Sequence, residues 1–155
     1  MTPTFVYQTI IQPTLAYLPP RMESRAAAAM LLAIGLQESR FQHRVQIGGP
    51  ARGFWQFERN GCLGVLRHSA VRDLASATLI QQCYEVTPEA AYEAVAHNDH
   101  VACTFARLLL WTLPDPLPGP DDAEEGWRQY LEAWRPGRPH EHTWRGFYHE
   151  AWTIV

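Results

Sequence analysis

The chain has 155 residues, 46% of them apolar, a formal charge of −3 and a pI near 6.1. That size and apolar content suit one globular domain over residues 1–155, able to bury a core without disulfides or metal. The mild negative excess argues against nucleic acid and gives no steering toward phosphate or anionic lipid.

All thirteen basic residues are arginine, which we read as compositional bias. The N-terminal stretch MTPTFVYQTIIQPTLAYLPPR has no charged lead, long apolar core or small-residue cleavage site. No secretory signal is expected there, and synthesis is expected to leave the chain in the cytoplasm. After Pro19-Pro20, residues 22 to 40 read as a helix. Ala26 to Ile34 is apolar on every face, so the helix should be central and surrounded. The apolar run from Ala26 to Leu36 is too short to span a bilayer, which needs roughly 20 residues, and no membrane anchor is expected.

Gly48-Gly49-Pro50 and Asn60-Gly61 mark turns, so residues 45 to 62 read as a loop or short hairpin. A helix from about Ala70 to Cys83 follows. Thr87-Pro88 caps and starts another, reaching about Ala96. Asn98 or Asp99 then caps a segment carrying Val101, Phe105, Leu108, Leu109 and Trp111, which ends before the connector Pro114–Pro120. Asp121 and Glu124 have capping-box spacing ahead of Trp127, Tyr130, Leu131 and Trp134, an amphipathic pattern. Residues 142 to 153 form a last helix with Trp144, Phe147, Ala151 and Trp152. The expected class is mainly α.

Glu38 carries the chemistry of this reading. Helical spacing sets it in line with Ala27, Leu31 and Ile34, on a stripe of core residues. Burial and the negative end of the helix dipole both disfavour its carboxylate, so its pKa should rise. A carboxylic acid still protonated near neutral pH can protonate a departing glycosidic oxygen. The alternative is a glutamate that is solvated or paired with Arg25, Arg40 or Arg44.

Leu36-Gln37-Glu38-Ser39-Arg40-Phe41, followed by Gly53-Phe54-Trp55-Gln56, resembles the lysozyme-like superfamily of lytic transglycosylases and goose-type lysozymes. In that family a helix ends in Glu-Ser-x-Phe and a loop carries Gly-x-x-Gln. The resemblance implies that Glu38 is the catalytic acid, that Ser39 helps to position it, and that Gln56 lines the substrate groove. It implies as partner the β-1,4 bond of peptidoglycan between N-acetylmuramic acid and N-acetylglucosamine, with no cofactor. Trp134-Arg135 stands where the family usually has a groove-lining Tyr-Asn pair.

Glu58 is either a second carboxylate, as a hydrolase needs, or an ion-pair partner of Arg52 or Arg59. A lytic transglycosylase, by resemblance, needs one glutamate. Asp73 and Asp99 are weaker candidates. Phe54, Trp55, Trp127, Tyr130 and Trp134 are the aromatic rings available to stack on sugars, and most should be core. No metal is expected: His97 with His100, and His140-Glu141-His142, lack metal-site spacing. Cys62, Cys83 and Cys103 read as buried thiols.

The family habit suggests a bacteriophage or prophage product, released to the wall as an endolysin or carried in a virion. Two other readings stay open. One is a non-catalytic virion or secretion-apparatus component that keeps the fold, which the Trp134-Arg135 departure favours. The other is a chitinase-like hydrolase.

Overall fold

The computed structural model describes all 155 residues. It is mainly helical and contains no sheet. The N-terminus, weighed in the sequence only as a secretory signal, is helical almost throughout: α1 (Pro3–Val6), a π turn (Tyr7–Ile11) and α2 (Gln12–Tyr17). Pro3 falls in the first helical turn, where the missing N–H has no partner to lose, whereas Pro13 lies inside the continuous helical run, directly after the π turn. A 3-10 turn at Pro20–Met22 leads into α3 (Arg25–Glu38).

Helix α3 is the centre of the molecule. Ser24 caps it, its side chain accepting from the Ala27 amide at 3.0 Å. Every residue from Ala27 to Leu36 is buried, so this helix is apolar all round and enclosed all round. Each large side chain so buried contributes about 1.5–3 kcal/mol. The helix α9 (Glu141–Ile154) packs along it, with the Arg25 guanidinium donating to the Trp152 and Val155 carbonyls.

The helix ends where Arg40 and Phe41 take left-handed backbone (φ 50° and 54°). The Phe41 ring folds back over Gly35, where a Cβ would collide with it. Gly35 therefore makes room for the turn that follows the acid.

The segment expected as a loop or hairpin is a loop as far as Phe57, with isolated antiparallel bridges Val45–Arg52 and Arg52–Phe57. Asn60-Gly61 does not form the expected turn. It lies in the first turns of α4 (Arg59–Arg67), because Cys62 and Val65 supply a buried face that a helix serves better.

The remaining helices follow the sequence pattern: α5 (Arg72–Gln81), α6 (Pro88–His97), α7 (Asp99–Trp111) and α8 (Ala123–Trp134). Asn98 caps α7, accepting from the His100 and Val101 amides. The α8 cap is Asp122, accepting from the Glu125 amide at 3.3 Å, one residue later than the capping-box spacing suggested. No helix is long and apolar enough to cross a membrane.

Candidate functional site

Glu38 is the last residue of α3 and stands partly exposed where a fully buried helix meets a groove of about 1180 Å³. The groove is walled by the end of α3, residues 46 and 48–51, the start of α4, the end of α7, the end of α8 and the α8–α9 connector. It exceeds the about 300–1,000 Å³ of pockets that take drug-sized molecules.

No cation neutralises Glu38. Arg44 forms a two-point pair with Asp99 (2.8 and 2.6 Å), Arg25 binds backbone carbonyls, and Arg40 lies over the Phe147 ring. Burial pushes the Glu38 carboxyl up to about 7, against the opposing pull of the Tyr130 hydroxyl, which donates to Glu38 Oε1 at 2.7 Å. The group is thus poised between acid and base at neutral pH.

Tyr130 is held by its neighbours. Its ring stacks on Trp144 at 5.3 Å and 14°, with Trp127 at 5.2 Å and Trp134 at 6.3 Å. Burial, with the adjacent Glu38, raises its own pKa, so the phenol stays protonated and available as a donor. Gly126, one turn earlier, lets α8 approach α9: a Cβ there would press on Tyr148 and Trp144.

Gln56 lines the groove. It sits in left-handed backbone (φ 49°) at the end of a four-residue loop closed by the paired amides and carbonyls of Arg52 and Phe57, both at 2.8 Å. Its side-chain amide donates to the Gly53 carbonyl at 2.7 Å, which leaves its oxygen free to accept. Gly53 has φ 72°, and a Cβ there would meet the Val95 carbonyl. Glycine is required at that position by conformation and by contact.

Ser39 is adjacent to the acid but not on the groove wall. Its hydroxyl donates to the Phe54 carbonyl at 2.7 Å and accepts from the Phe41 amide at 3.1 Å, so it ties the loop to the helix end. Phe54 and Trp55 were expected to offer rings to substrate. They are buried in the core instead, and the Trp55 indole donates to the Leu31 carbonyl at 2.8 Å. Adjacency to Gln56 misled because this loop turns Phe54 and Trp55 inward together and only then sets Gln56 toward the groove.

Trp134 does line the groove, its indole donating to the Trp55 carbonyl at 2.8 Å. Trp127 belongs to the aromatic cluster and not to the wall. Glu58 is exposed on the groove and in no ion pair, because Arg59 turns to Glu89 and Arg52 to the Tyr92 ring. Asp99 is spent on Arg44, and Asp73 lies beside Arg72, away from the groove.

Sequence reasoning gave no role to Gln37 or Arg138 and weighed His140 only as a metal ligand, yet all three line the groove. The Gln37 side chain joins α3 to the last helix, donating to the His140 carbonyl at 3.0 Å and accepting from the Thr143 hydroxyl at 3.0 Å. Only its place beside Glu38 could have signalled it.

No three His, Cys, Asp or Glu side chains converge on a point that could hold a metal ion. The thiols of Cys62 and Cys103 are buried, and burial pushes Cys62 up to about 12, whereas Cys83, expected to be buried, is exposed. No family model, curated protein or solved structure matches the chain.

Proposed function

We propose that this chain is a lysozyme-like glycosidase that cleaves the β-1,4 bond between N-acetylmuramic acid and N-acetylglucosamine in peptidoglycan. The observation that carries the reading is a Glu38 with no paired cation, its pKa raised by burial and its Oε1 accepting from Tyr130, on the wall of a groove of about 1180 Å³. The motif Glu38-Ser39 with Gly53 and Gln56 supports it from the sequence side.

In the proposed reaction Glu38 donates its proton to the glycosidic oxygen as the bond from that oxygen to the anomeric carbon breaks. The sugar left behind carries oxocarbenium character. The Glu38 carboxylate then takes a proton from the group that attacks the anomeric carbon. If that group is water, a reducing end forms; if it is the sugar's own 6-hydroxyl, an anhydro ring closes. Glu58 would serve the first outcome as a second carboxylate and is unnecessary for the second. The free oxygen of Gln56 can accept from a sugar hydroxyl or N-acetyl N–H, and the Tyr130 hydroxyl steadies the acid through both proton transfers.

A non-catalytic virion or secretion-apparatus role is favoured by one observation, Trp134-Arg135 in place of a Tyr-Asn pair. Against it, Tyr130 supplies a tyrosine hydroxyl to Glu38 from one turn earlier on the same helix. On this reading a bacteriophage or prophage origin, with action at the cell wall after release or from the virion, follows from family habit. The deciding experiment digests purified peptidoglycan with wild type and Glu38→Gln and weighs the products. Reducing ends or products lighter by one water are expected from wild type alone. Release by both proteins, or by neither, would remove the proposed role of Glu38.

A further inference from the structure

Most arginines of this chain are engaged. Arg44, Arg59, Arg72 and Arg128 pair with carboxylates, and Arg21, Arg25, Arg40, Arg52 and Arg107 lie over aromatic rings. Four do neither: Arg67, Arg135, Arg138 and Arg145. Of these, Arg135 and Arg138 stand together on the groove, in the connector between α8 and α9.

That connector is fastened at both ends. Trp134 is hydrogen-bonded to the Trp55 carbonyl, and the His140 carbonyl accepts from Gln37, the residue next to Glu38. Between these points Pro136 and Pro139 fix two backbone torsions. Arg135 holds left-handed backbone (φ 48°) with its Nε donating to the Glu132 carbonyl at 3.3 Å. The groove's own acids leave the two guanidinium groups unpaired. Glu132 is taken by Arg128 at 2.8 Å, Glu38 by Tyr130, and Glu58 pairs with no arginine.

Resting on the glycosidase reading, we propose that Arg135 and Arg138 are specificity determinants that bind a carboxylate carried by the glycan, so that the groove selects anionic over neutral N-acetylated strands. Two unpaired guanidinium groups present planar forks that match carboxylate oxygens. A neutral glycan such as chitin offers them hydroxyl and N-acetyl oxygens but no carboxylate. Peptidoglycan offers a carboxylate in either of two states: on the stem peptide where that peptide is attached, the lactyl carbonyl then being an amide, and on the lactyl arm itself once an amidase has removed the peptide.

The test compares cleavage of peptide-bearing strands, strands stripped by an amidase so that only the lactyl carboxylate remains, and a chitin hexamer. Wild type, Arg138→Gln, Arg138→Glu, Arg135→Gln and, as an off-groove control, Arg145→Gln are assayed at low and high salt. Binding of each to the insoluble polymers is measured by co-sedimentation in parallel. The rate ratio of at least one anionic substrate, peptide-bearing or stripped, to chitin should fall about threefold to fivefold in Arg138→Gln, more in Arg138→Glu, and not in Arg145→Gln. High salt should shrink the wild-type ratio toward that of Arg138→Gln. A drop confined to the peptide-bearing arm assigns the contact to the stem peptide, a drop confined to the stripped arm assigns it to the freed lactyl carboxylate, and a drop in both means that either carboxylate reaches the two arginines.

An unchanged ratio in the Arg135 and Arg138 variants, with cleavage intact, overturns this proposal and leaves the glycosidase reading standing. Absence of cleavage by wild type overturns the glycosidase reading. In that event, sedimentation that ignores Arg138 overturns the anion-binding role as well, and sedimentation that depends on it upholds that role.

Discussion

Protonation of Glu38 ties stability to pH in the direction opposite to that of a salt-bridged carboxylate. Its folded-state pKa, about 7, lies above the ordinary value of 4.5, so the folded chain holds this proton more tightly than the unfolded chain does. The contribution is fully present below about pH 4.5 and is lost as pH rises through 7. It amounts to on the order of 2–3 kcal/mol. Glu38→Gln keeps a neutral side chain at every pH and should escape the loss. Its Tm should match wild type near pH 4.5 and exceed it by roughly 5 °C at pH 8. Equal Tm at both pH values would mean that Glu38 ionises freely. Tyr130→Phe supplies the complementary measurement. It removes the hydrogen bond that favours the ionised form, so the alkaline limb of kcat/KM should move above 7, while stacking on Trp144 is kept. A limb moving down, or not at all, would show that the phenol does not act on Glu38.

At the scale of elements, the loop that carries Gln56 is a constrained part. Gly53→Ala would combine a positive φ with a clash against the Val95 carbonyl on α6. A loss of about 2–3 kcal/mol is expected in urea unfolding. A loss below about 0.5 kcal/mol would mean that the loop relaxes without cost. This loop also shows what could be read in advance and what could not. Apart from α4, where Asn60-Gly61 read as a turn and no side chain caps the start, the helices from α3 onward announce themselves by caps and periodicity, since those signals are local. The Glu38 stripe was legible for the same reason. Trp55 was not: whether a ring on a four-residue loop points to solvent or to the core depends on the Leu31 carbonyl waiting inside, a contact between residues 24 apart in sequence. The Tyr130–Glu38 contact, spanning 92 residues, was equally hidden, although each residue had been singled out alone. The N-terminal helical run escaped because that stretch was weighed only as a secretory signal, and it carries Pro13 within its length.

At the scale of the whole molecule, the groove exists because α3 ends at its edge while α4, α7, α8 and the α8–α9 connector close around that end. A groove of about 1180 Å³ walled by so many separate segments is larger than the chemistry at one bond requires, and walls away from that bond act through binding. Contacts to sugars far from the scissile bond can be spent on distorting and orienting the ring that reacts, so short substrates should lose kcat as well as affinity. On the glycosidase reading, kcat/KM should rise at least about tenfold from a peptidoglycan-derived tetrasaccharide to an octasaccharide or longer strand. Part of that rise should appear in kcat. Oligosaccharide series followed by mass spectrometry supply both constants. Rates independent of length would confine productive contacts to the immediate surroundings of Glu38 and leave the outer groove without a role in catalysis. A rise in affinity alone, with kcat flat, would mean that the distant walls bind ground state and transition state equally well.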